Sequence, residues 1–292
     1  MEFGRNTITD EVLSRLQNTG NPRLKQIMTS LVRHLHDFAR EVELTEGEWF
    51  EGIKFLTDAG RMTSDRRQEF VLLSDTLGLS MLVIAQNNRK PQRCTEATVF
   101  GPFYVEGAPE YALGDDIANG AKGEPCYVNA RVTGLQGEPV AAARVDVWQA
   151  DEAGFYDSQY ADNEQMRARG TLHTDRNGRL YFKTLLPVAY PIPSDGPVGR
   201  MLAATGRHPW RPAHIHFMIE APGYERLVTH VFRDEDQYLR SDTVFGVRSS
   251  LIAHFQQHPA GETTPAGKQS DVPFYTLDFD FVLNPSTNAG SA

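Results

Sequence analysis

Hydrophobic positions in the first third of the chain follow a helical period. Thr45 and Glu48 form a capping box that predicts a second helix, with Gly60 as its stop. Upstream of it, apolar residues recur at the three- and four-residue spacing of one buried helical stripe, formed by Leu24, Ile27, Met28, Leu31, Val32, Leu35, Phe38 and Ala39. This pattern predicts a helical N-terminal region.

The segment that opens at Ser64 is apolar on much of its surface. It continues as DRRQEFVLLSDTLGLSMLVIAQNN. Helices with so much apolar surface must pack against something, and the first third of the chain is too short to cover them all. We therefore expect a partner domain or a partner subunit.

Beyond Pro91 the pattern changes to short runs of alternating polarity. Runs rich in β-branched and aromatic residues are separated by turns rich in Gly, Pro and Asp, which is typical of a β-sandwich. The predicted strands are CYVNARVTG, AARVDVWQA, LYFKTLL, HIHFMIEA, RLVTHVF and FYTLDFDFVL. We predict a mainly β protein with a helical region at residues 1–95, a β-sandwich domain at residues 96–285 and a flexible tail at residues 286–292.

Composition and charge narrow the possible partners. The 292 residues carry a net charge of −9, which argues against nucleic acid and anionic membrane surfaces because both are bound through excess lysine and arginine. Two cysteines, Cys94 and Cys126, fit a reduced compartment better than a disulfide scaffold. The chain shows no signal-peptide pattern and no apolar run near the roughly 20 residues of a bilayer span. We therefore expect a cytoplasmic protein that neither binds nucleic acid nor inserts into a membrane.

Two histidines lie two positions apart in the predicted strand HIHFMIEA. Residues i and i+2 of a strand face the same side, so the rings of His214 and His216 lean toward one point, which suits a metal ion. Surface or hydrogen-bonded histidines explain the same spacing without a metal. Two tyrosines stand in constrained places, Tyr156 where a loop leaves the strand VDVWQA and Tyr190 in a proline-rich segment. Each tyrosine alone is more often structural.

The order Tyr, Tyr, His-x-His resembles the pattern of the intradiol ring-cleaving dioxygenases. RPAHIHFMIEAPGY is similar to the signature of that family, and TVFGPFY, VDVWQADEAGFYD and AYPIPSDGPVG match its blocks in order. The resemblance implies an enzyme with a β-sandwich catalytic core and N-terminal helices that form a homodimer interface, in some members with phospholipid between them. It also implies four iron ligands, Tyr156, Tyr190, His214 and His216.

The implied cofactor is one non-haem Fe(III) ion per subunit. Two phenolates favour a hard, highly charged ion and stabilise ferric iron against reduction. In the family mechanism a vicinal aromatic diol chelates the iron, O2 attacks the ring, and both oxygen atoms enter between the hydroxylated carbons. Tyr190 is implied to leave the iron and help accept a proton. Arg211, three residues before His214, is implied to stabilise negative charge on the substrate.

Several positions resemble the hydroxyquinol-cleaving members of the family more than the catechol-cleaving ones. Leu72 and Asp75 lie one helical turn apart, and a carboxylate in apolar surroundings needs a partner, such as the third hydroxyl of hydroxyquinol. The expected product is 3-hydroxy-cis,cis-muconate, which tautomerises to maleylacetate, while catechol or chlorocatechol is the alternative substrate. The resemblance implies a pocket formed by Leu72, Asp75, Val99, Phe100, Gly101, Pro102, Phe103, Ile192, Pro193, Arg211, His230 and Val244.

His230 departs from many catechol-cleaving relatives, which carry glutamine at this position. We expect His230 to hydrogen-bond beside the iron ligands without binding the iron, and its protonation to add pH sensitivity near neutrality. Two other interpretations stay open. One is a non-catalytic β-sandwich binding module, which would be colourless, whereas phenolate-to-Fe(III) charge transfer would make the dioxygenase red-brown. The other is an Fe(II) extradiol enzyme, which would need a carboxylate ligand that the sequence does not obviously supply.

Overall fold

A computed structural model describes residue 4 and residues 7–64, 67–160 and 165–286. The chain divides into two compact units, residues 1–58 and residues 59–292. The domain boundaries expected after residues 95 and 285 stay a prediction. Residues 287–292 of the expected tail lie outside the described residues.

The first unit is helical, as the apolar period predicts. Helix α1 is Ile8–Arg15, α2 is Pro22–Glu41 and α3 is Glu46–Met62. The side chain of Asn21 begins α2 by accepting a hydrogen bond from the backbone N–H of Leu24 at 3.0 Å, and proline occupies the first helical position.

The predicted capping box begins α3. The Glu48 N–H donates to Thr45 Oγ1 at 3.3 Å, and the Thr45 N–H donates to Glu48 Oε2 at 2.9 Å. The prediction that Gly60 ends this helix is wrong, because the helix continues beyond it. The end comes at Thr63, whose hydroxyl donates to the carbonyl oxygen of Ala59 at 2.9 Å.

The apolar stripe of α2 is exposed, contrary to the prediction of a buried stripe. Five of its large side chains are between 46% and 55% exposed: Leu24, Ile27, Leu31, Leu35 and Phe38. The exposed side chains form a continuous apolar face along α2.

Helix α3 ends inside the second unit. The other helices among the described residues of that unit are α4 (Glu69–Thr76), α5 (Leu79–Asn87) and α6 (Pro197–Ala204). The apolar segment after Ser64 therefore forms two short helices. In the part of the chain that the structure describes, no single helix is long and apolar enough to cross a membrane. Among the described residues one bent pair of helices, α4 and α5 at 77°, reaches that length and composition together.

The second unit contains two main sheets. One has the strand order β10-β11-β1-β4 and the other β3-β2-β7-β8-β9, while β5 pairs with β6. The strands in the described ranges are β1 (Pro125–Gly134), β2 (Arg144–Trp148), β3 (Arg169–His173), β4 (Arg179–Leu185), β5 (Tyr190–Pro191), β6 (Trp210–Arg211), β7 (His214–Glu220), β8 (Leu227–Arg233), β9 (Ile252–Ala253), β10 (Phe255–His258) and β11 (Phe274–Leu283).

All six predicted strands are present as β1, β2, β4, β7, β8 and β11. Strands β3 and β10 were not predicted, because RGTLH and FQQH are short and lack apolar alternation. They become strands by pairing with β2 and β11. Local sequence cannot reveal such pairing, since the partner is distant along the chain.

The two main sheets enclose one apolar core, which confirms the mainly β sandwich architecture. Strand β7 contributes Ile215, Phe217 and Ile219 to this core. Because successive side chains of a strand alternate between faces, His214 and His216 lie on the opposite face of the sheet. Both are buried all the same, so loops must cover this outer face. The candidate site lies between these loops and the outer face of the sheet.

Candidate metal centre and active site

The two strand histidines converge, as their spacing predicts. His214 and His216 are 2% and 1% exposed, and their Nε2 atoms lie 3.1 Å apart. His214 Nδ1 donates to the carbonyl oxygen of Pro212 at 2.7 Å, which leaves a lone pair on its Nε2. The indole of Trp148, paired with His216 across β2 and β7, stacks on the His216 ring at 4.7 Å. Both rings are therefore held in place.

Two tyrosine hydroxyls meet these nitrogens. Tyr156 Oη lies 2.9 Å from His216 Nε2 and 3.0 Å from Tyr190 Oη. Tyr190 Oη lies 3.5 Å from His214 Nε2. Tyr156 stands in the loop after β2, whereas Tyr190 begins β5 and pairs with Arg211 of β6. Three segments distant in sequence thus bring four potential ligand atoms together.

Gly154 permits the close approach of the two tyrosine segments. Its φ is +80°, and a Cβ atom at this position would lie 2.9 Å from the Cβ of Tyr190. A side chain there would displace Tyr190 and strain the turn. The ring of Tyr156 stacks on the ring of Phe103, with centroids 4.5 Å apart.

The four atoms fit a single metal ion. Ligand atoms about 2.0–2.1 Å from one ion, at bond angles of about 90–110°, lie roughly 2.8–3.4 Å apart. Neighbouring atoms of the set are 2.9 to 3.5 Å apart. Burial lowers the pKa of His214 and His216 well below 6.5, so both rings are neutral and can bind a metal. Burial raises the pKa of Tyr156 and Tyr190, so phenolates here require a neighbouring cation.

His230 lies beside these atoms as a third histidine. Ring nitrogens of His214, His216 and His230 lie within 4.8 Å of one another. Both nitrogens of His230 are already engaged, Nε2 at 2.8 Å from His216 Nδ1 and Nδ1 at 2.7 Å from Thr98 Oγ1. This arrangement supports the expectation that His230 contacts a ligand without being one.

The expected pH sensitivity of His230 near neutrality is wrong. Burial, with His216 and His214 close by, lowers the pKa of His230 well below 6.5. A histidine with a lowered pKa is neutral at and above its ordinary value and gains a proton only in more acidic solution. His230 therefore keeps one protonation state throughout the neutral range.

Arg211 is a fixed cation next to the four atoms. Its Nη1 lies 3.3 Å from His214 Nε2. Its Nε donates to Asp242 Oδ1 at 3.1 Å, and its Nη2 lies 3.4 Å from Asp242 Oδ2. Burial opposes the charge of Arg211, but the Asp242 carboxylate outweighs this effect and the pKa of Arg211 is raised. The guanidinium is thus charged, oriented and 3% exposed.

Part of the predicted substrate pocket comes together beside this arginine. One buried apolar cluster contains the predicted pocket residues Leu72, Val99, Ile192 and Val244. Asp75 on α4 is 3% exposed. Burial raises the pKa of Asp75, and the charge of Arg211 opposes that rise. A carboxyl group therefore lies within electrostatic range of the candidate catalytic arginine.

The predicted block from Val99 to Phe103 passes close to the candidate ligand atoms. Gly101 has a φ of +78°, and a Cβ atom there would lie 3.2 Å from Cε1 of His216. Only a residue without a side chain brings the backbone so near this ring without strain.

Three predicted pocket residues are less enclosed. Phe100 is 37% exposed and packs against Tyr104 and Trp148, with ring centroids at 4.7 Å and 5.9 Å. Pro102 and Pro193 are partly exposed. Their contact with substrate stays a prediction.

Several residues that hold the site together are not marked by the sequence pattern. Arg169 Nε donates to both carboxylate oxygens of Asp157 at 2.9 Å and 2.8 Å, and its Nη1 donates to the carbonyl oxygen of Phe103 at 3.1 Å. This pair joins the loop after β2 to the 99–103 block. Asp242 likewise holds Arg211, and Thr98 is hydrogen-bonded to His230. Nothing local identifies them, because each partner is distant in sequence.

Known protein families match most of the chain. Residues 99–285 match the family described as Dioxygenase, and residues 21–95 match Catechol dioxygenase N terminus. The β-sandwich and the buried Tyr/His site thus define a dioxygenase of the intradiol type. The chain belongs to the family of the intradiol ring-cleavage dioxygenases.

Relatives place it more narrowly within that family. It is 61% identical to 6-chlorohydroxyquinol 1,2-dioxygenase of Cupriavidus pinatubonensis, over 98% of this chain and 99% of the relative. It is 54% identical to hydroxyquinol 1,2-dioxygenase of Nocardioides simplex, over 96% and 95% of the two chains. The chain is similar to hydroxyquinol 1,2-dioxygenase from Pseudomonas putida, whose crystal structure superposes with a TM-score of 0.89. The two sequences are 49% identical, and the match covers 97% of this chain and 99% of that one.

Proposed function

We propose that this dioxygenase binds one non-haem Fe(III) ion per subunit and cleaves hydroxyquinol (benzene-1,2,4-triol) to 3-hydroxy-cis,cis-muconate, which tautomerises to maleylacetate. The convergence of two phenol oxygens and two imidazole nitrogens on one buried point carries the proposal. Two phenolates suit a trivalent ion better than a divalent one. Ferric iron, when bound there, would supply Lewis-acid activation of an aromatic diol toward O2.

The side chains around the ion would divide the remaining work. Tyr156, His214 and His216 would hold the ion throughout. Tyr190 would give up its position to a substrate oxygen and take up a substrate hydroxyl proton at its Oη. Arg211, 3.3 Å from His214 Nε2, would stabilise negative charge that moves onto the ring. Because these side chains are at most 3% exposed, water is excluded from the reacting atoms.

Asp75 is the residue that we assign to the third hydroxyl of hydroxyquinol. Its carboxyl is buried, burial raises its pKa, and its oxygens can accept a hydrogen bond from a substrate hydroxyl. A buried polar group that loses its partner destabilises the complex. The Ser80 hydroxyl hydrogen-bonds to Asp75, but a substrate without the third hydroxyl would leave the other hydrogen-bonding positions of this buried carboxyl without a substrate partner.

Hydroxyquinol is expected to be strongly preferred over catechol. The iron-loaded protein would be given hydroxyquinol, 6-chlorohydroxyquinol, catechol and 4-chlorocatechol, with O2 uptake and product structure measured for each. Asp75→Ala should lower the ratio of kcat/KM for hydroxyquinol to that for catechol on the order of 100-fold, because a site built around a substrate hydroxyl rejects analogues without it by large factors.

The control for this prediction is Leu77→Ala, at an exposed position just after α4. It should leave the substrate ratio unchanged. Equal efficiency of the wild type on hydroxyquinol and catechol would contradict the role of Asp75 and favour the alternative catechol or chlorocatechol dioxygenase. Products cut beside the diol would contradict intradiol cleavage itself.

We also propose that the exposed stripe of α2 forms a homodimer interface that holds phospholipid. The stripe is continuous and apolar, and a cleft of about 490 Å³ opens beside it, lined by Ile8, His36, Ala39, Arg40, Glu43 and Leu44. Its apolar members suit an acyl chain, and its basic members suit a phosphate group. Mass spectrometry of an organic extract would identify a bound lipid.

A charge in this stripe is expected to weaken the dimer. Leu31→Glu should raise the dimer dissociation constant about 100-fold, since burying an unpaired charge costs several kcal/mol. Ser30→Glu adds the same charge one position away, at an exposed polar residue, and serves as control. Analytical ultracentrifugation measures both. A wild type that is monomeric at micromolar concentration would exclude the proposed interface.

A further inference from the structure

We infer that Thr98 is a positioning residue for the metal centre and acts through His230 to hold the orientation of His216. The inference rests on the proposed function, since it takes His216 Nε2 as a metal ligand. Three side chains form a continuous hydrogen-bonded series from Thr98 Oγ1 to His230 and on to His216. We call this series the Thr98 relay.

The backbone holds the relay in place. His216 and His230 are directly paired across strands β7 and β8. The Thr98 N–H donates to the carbonyl oxygen of Val228 at 3.0 Å, which ties the Thr98 segment to β8. The three relay side chains lie in residues between 0% and 2% exposed, so water does not compete for their hydrogen bonds.

Metal binding determines where each proton of the relay lies. A neutral imidazole that offers Nε2 to a metal carries its proton on Nδ1. His216 Nδ1 would then donate to His230 Nε2 at 2.8 Å. His230 must carry its own proton on Nδ1, which donates to Thr98 Oγ1 at 2.7 Å. The hydroxyl of Thr98 is the acceptor that makes this one proton arrangement complete.

The other histidine ligand is fixed by a shorter route. His214 Nδ1 donates directly to the carbonyl oxygen of Pro212. A backbone carbonyl can only accept, so it specifies the His214 tautomer by itself. His230 can donate or accept at Nε2, and the Thr98 hydroxyl can also donate or accept. The relay therefore holds the orientation of His216, and metal binding at His216 Nε2 sets the direction of both hydrogen bonds.

The relay is also neutral, whereas a ligand histidine often donates to a carboxylate. Around His230 the facing groups are His214, His216, Phe232 and Thr98, of which none supplies an anion. The two phenol ligands already supply the negative charge that a trivalent ion needs. A neutral relay orients His216 without a further anion in a buried site.

Paired variants separate the relay from simple packing. Thr98→Val removes the hydroxyl and keeps the shape, while Thr98→Ser keeps the hydroxyl. Thr229→Val is the matched control, because Thr229 is a buried residue of β8 whose hydroxyl donates to the carbonyl oxygen of Glu96 at 2.7 Å and not to a relay residue. Iron affinity would be measured by competition with ferric nitrilotriacetate, together with the visible phenolate-to-iron absorption band.

Thr98→Val is expected to bind Fe(III) roughly 10- to 100-fold more weakly than the wild type, in the range typical for partners of metal ligands. Thr98→Ser and Thr229→Val should bind it as the wild type does. His230→Gln, whose amide can accept from His216 and donate to Thr98, should bind within a few-fold of the wild type, and His230→Leu should bind as weakly as Thr98→Val.

A second readout does not depend on iron. In protein loaded with diamagnetic Ga(III) and labelled with ¹⁵N-histidine, His230 should carry its proton on Nδ1 in the wild type. Wild-type iron affinity in Thr98→Val, or a proton on Nε2 of His230, overturns the relay. A wild type that binds no Fe(III) and cleaves no diol would instead overturn the proposed function.

Discussion

Tyr156→Phe is expected to lower kcat/KM for hydroxyquinol by roughly 10³-fold or more, since loss of about 4 kcal/mol of metal-dependent stabilisation corresponds to that factor. The Tyr156 oxygen lies 2.9 Å from His216 Nε2 and 3.0 Å from Tyr190 Oη, at the centre of the site. The substitution removes this oxygen and leaves the ring stacked on Phe103. The variant should fold, hold iron weakly and lose most of its red-brown colour.

Tyr104→Phe is the matched control for this substitution. Tyr104 packs against Trp148 in the same aromatic cluster, and its hydroxyl donates to Asp146 at 2.8 Å. Its removal should cost about 1 kcal/mol of stability, typical of one hydrogen bond, and leave iron content and colour intact. Iron analysis and visible absorption decide the comparison. Full iron and wild-type colour in Tyr156→Phe would remove Tyr156 from the ligand set.

Asp242→Asn is expected to lower kcat on the order of 100-fold, because Arg211 would lose the partner that aims its charge at the reacting atoms. Asp242 also accepts the backbone N–H groups of Val244 and Gly246, at 3.3 Å and 2.9 Å. One carboxylate therefore orients both the arginine and the loop that carries a predicted pocket residue. The free energy of unfolding should fall by about 3 kcal/mol, since a buried ion pair loses one partner.

An exposed ion pair provides the control for Asp242→Asn. Asp116 pairs with Lys183 at 2.6 Å, and their side chains are 41% and 34% exposed. Asp116→Asn should cost at most about 1 kcal/mol and leave kcat unchanged. Arg211→Lys, which keeps the charge but not the forked geometry, should lower kcat with a smaller loss of stability. Wild-type kcat in Asp242→Asn would show that Arg211 is oriented by other contacts.

Elements with a strong local pattern were predictable from the sequence. The period-two alternation of FYTLDFDFVL predicts a strand, and the structure has β11 at Phe274–Leu283. The capping box at Thr45 predicts the start of α3 because its hydrogen bonds join residues three positions apart. The prediction that α3 ends at Gly60 is wrong, because Gly60 lies inside the helix, which continues to Met62.

The candidate ligands were predictable for a different reason. His214 and His216 share a face of β7 by strand geometry alone. Tyr156 and Tyr190 are predicted as ligands only by the family resemblance. Tyr156 is 34 positions from Tyr190, and Tyr190 is 24 positions from His214, so no local pattern indicates that these residues meet. The structure supplies the distances that the pattern could not.

Residues that support the ligands could not be found in the sequence. Asp242 lies 31 positions from Arg211, and Thr98 lies 132 positions from His230. Aspartate and threonine are common surface residues, and only burial against a charged or titratable partner gives them a special role here. The lowered pKa of His230 has the same origin, since it follows from burial and not from residue type.

The amino-acid sequence by itself determined the helical N-terminal region, the main strands and the shared face of two histidines, because these depend on periodicity and on neighbours a few positions apart. Tertiary structure alone decided which face of the five-stranded sheet carries the site and how far the tyrosine hydroxyls lie from the histidine nitrogens. It also decided that Arg211 pairs with Asp242 and that His230 lies between Thr98 and His216. The physical reason is that hydrogen bonds and burial act over a few ångströms in space, between groups that the chain separates by tens of residues.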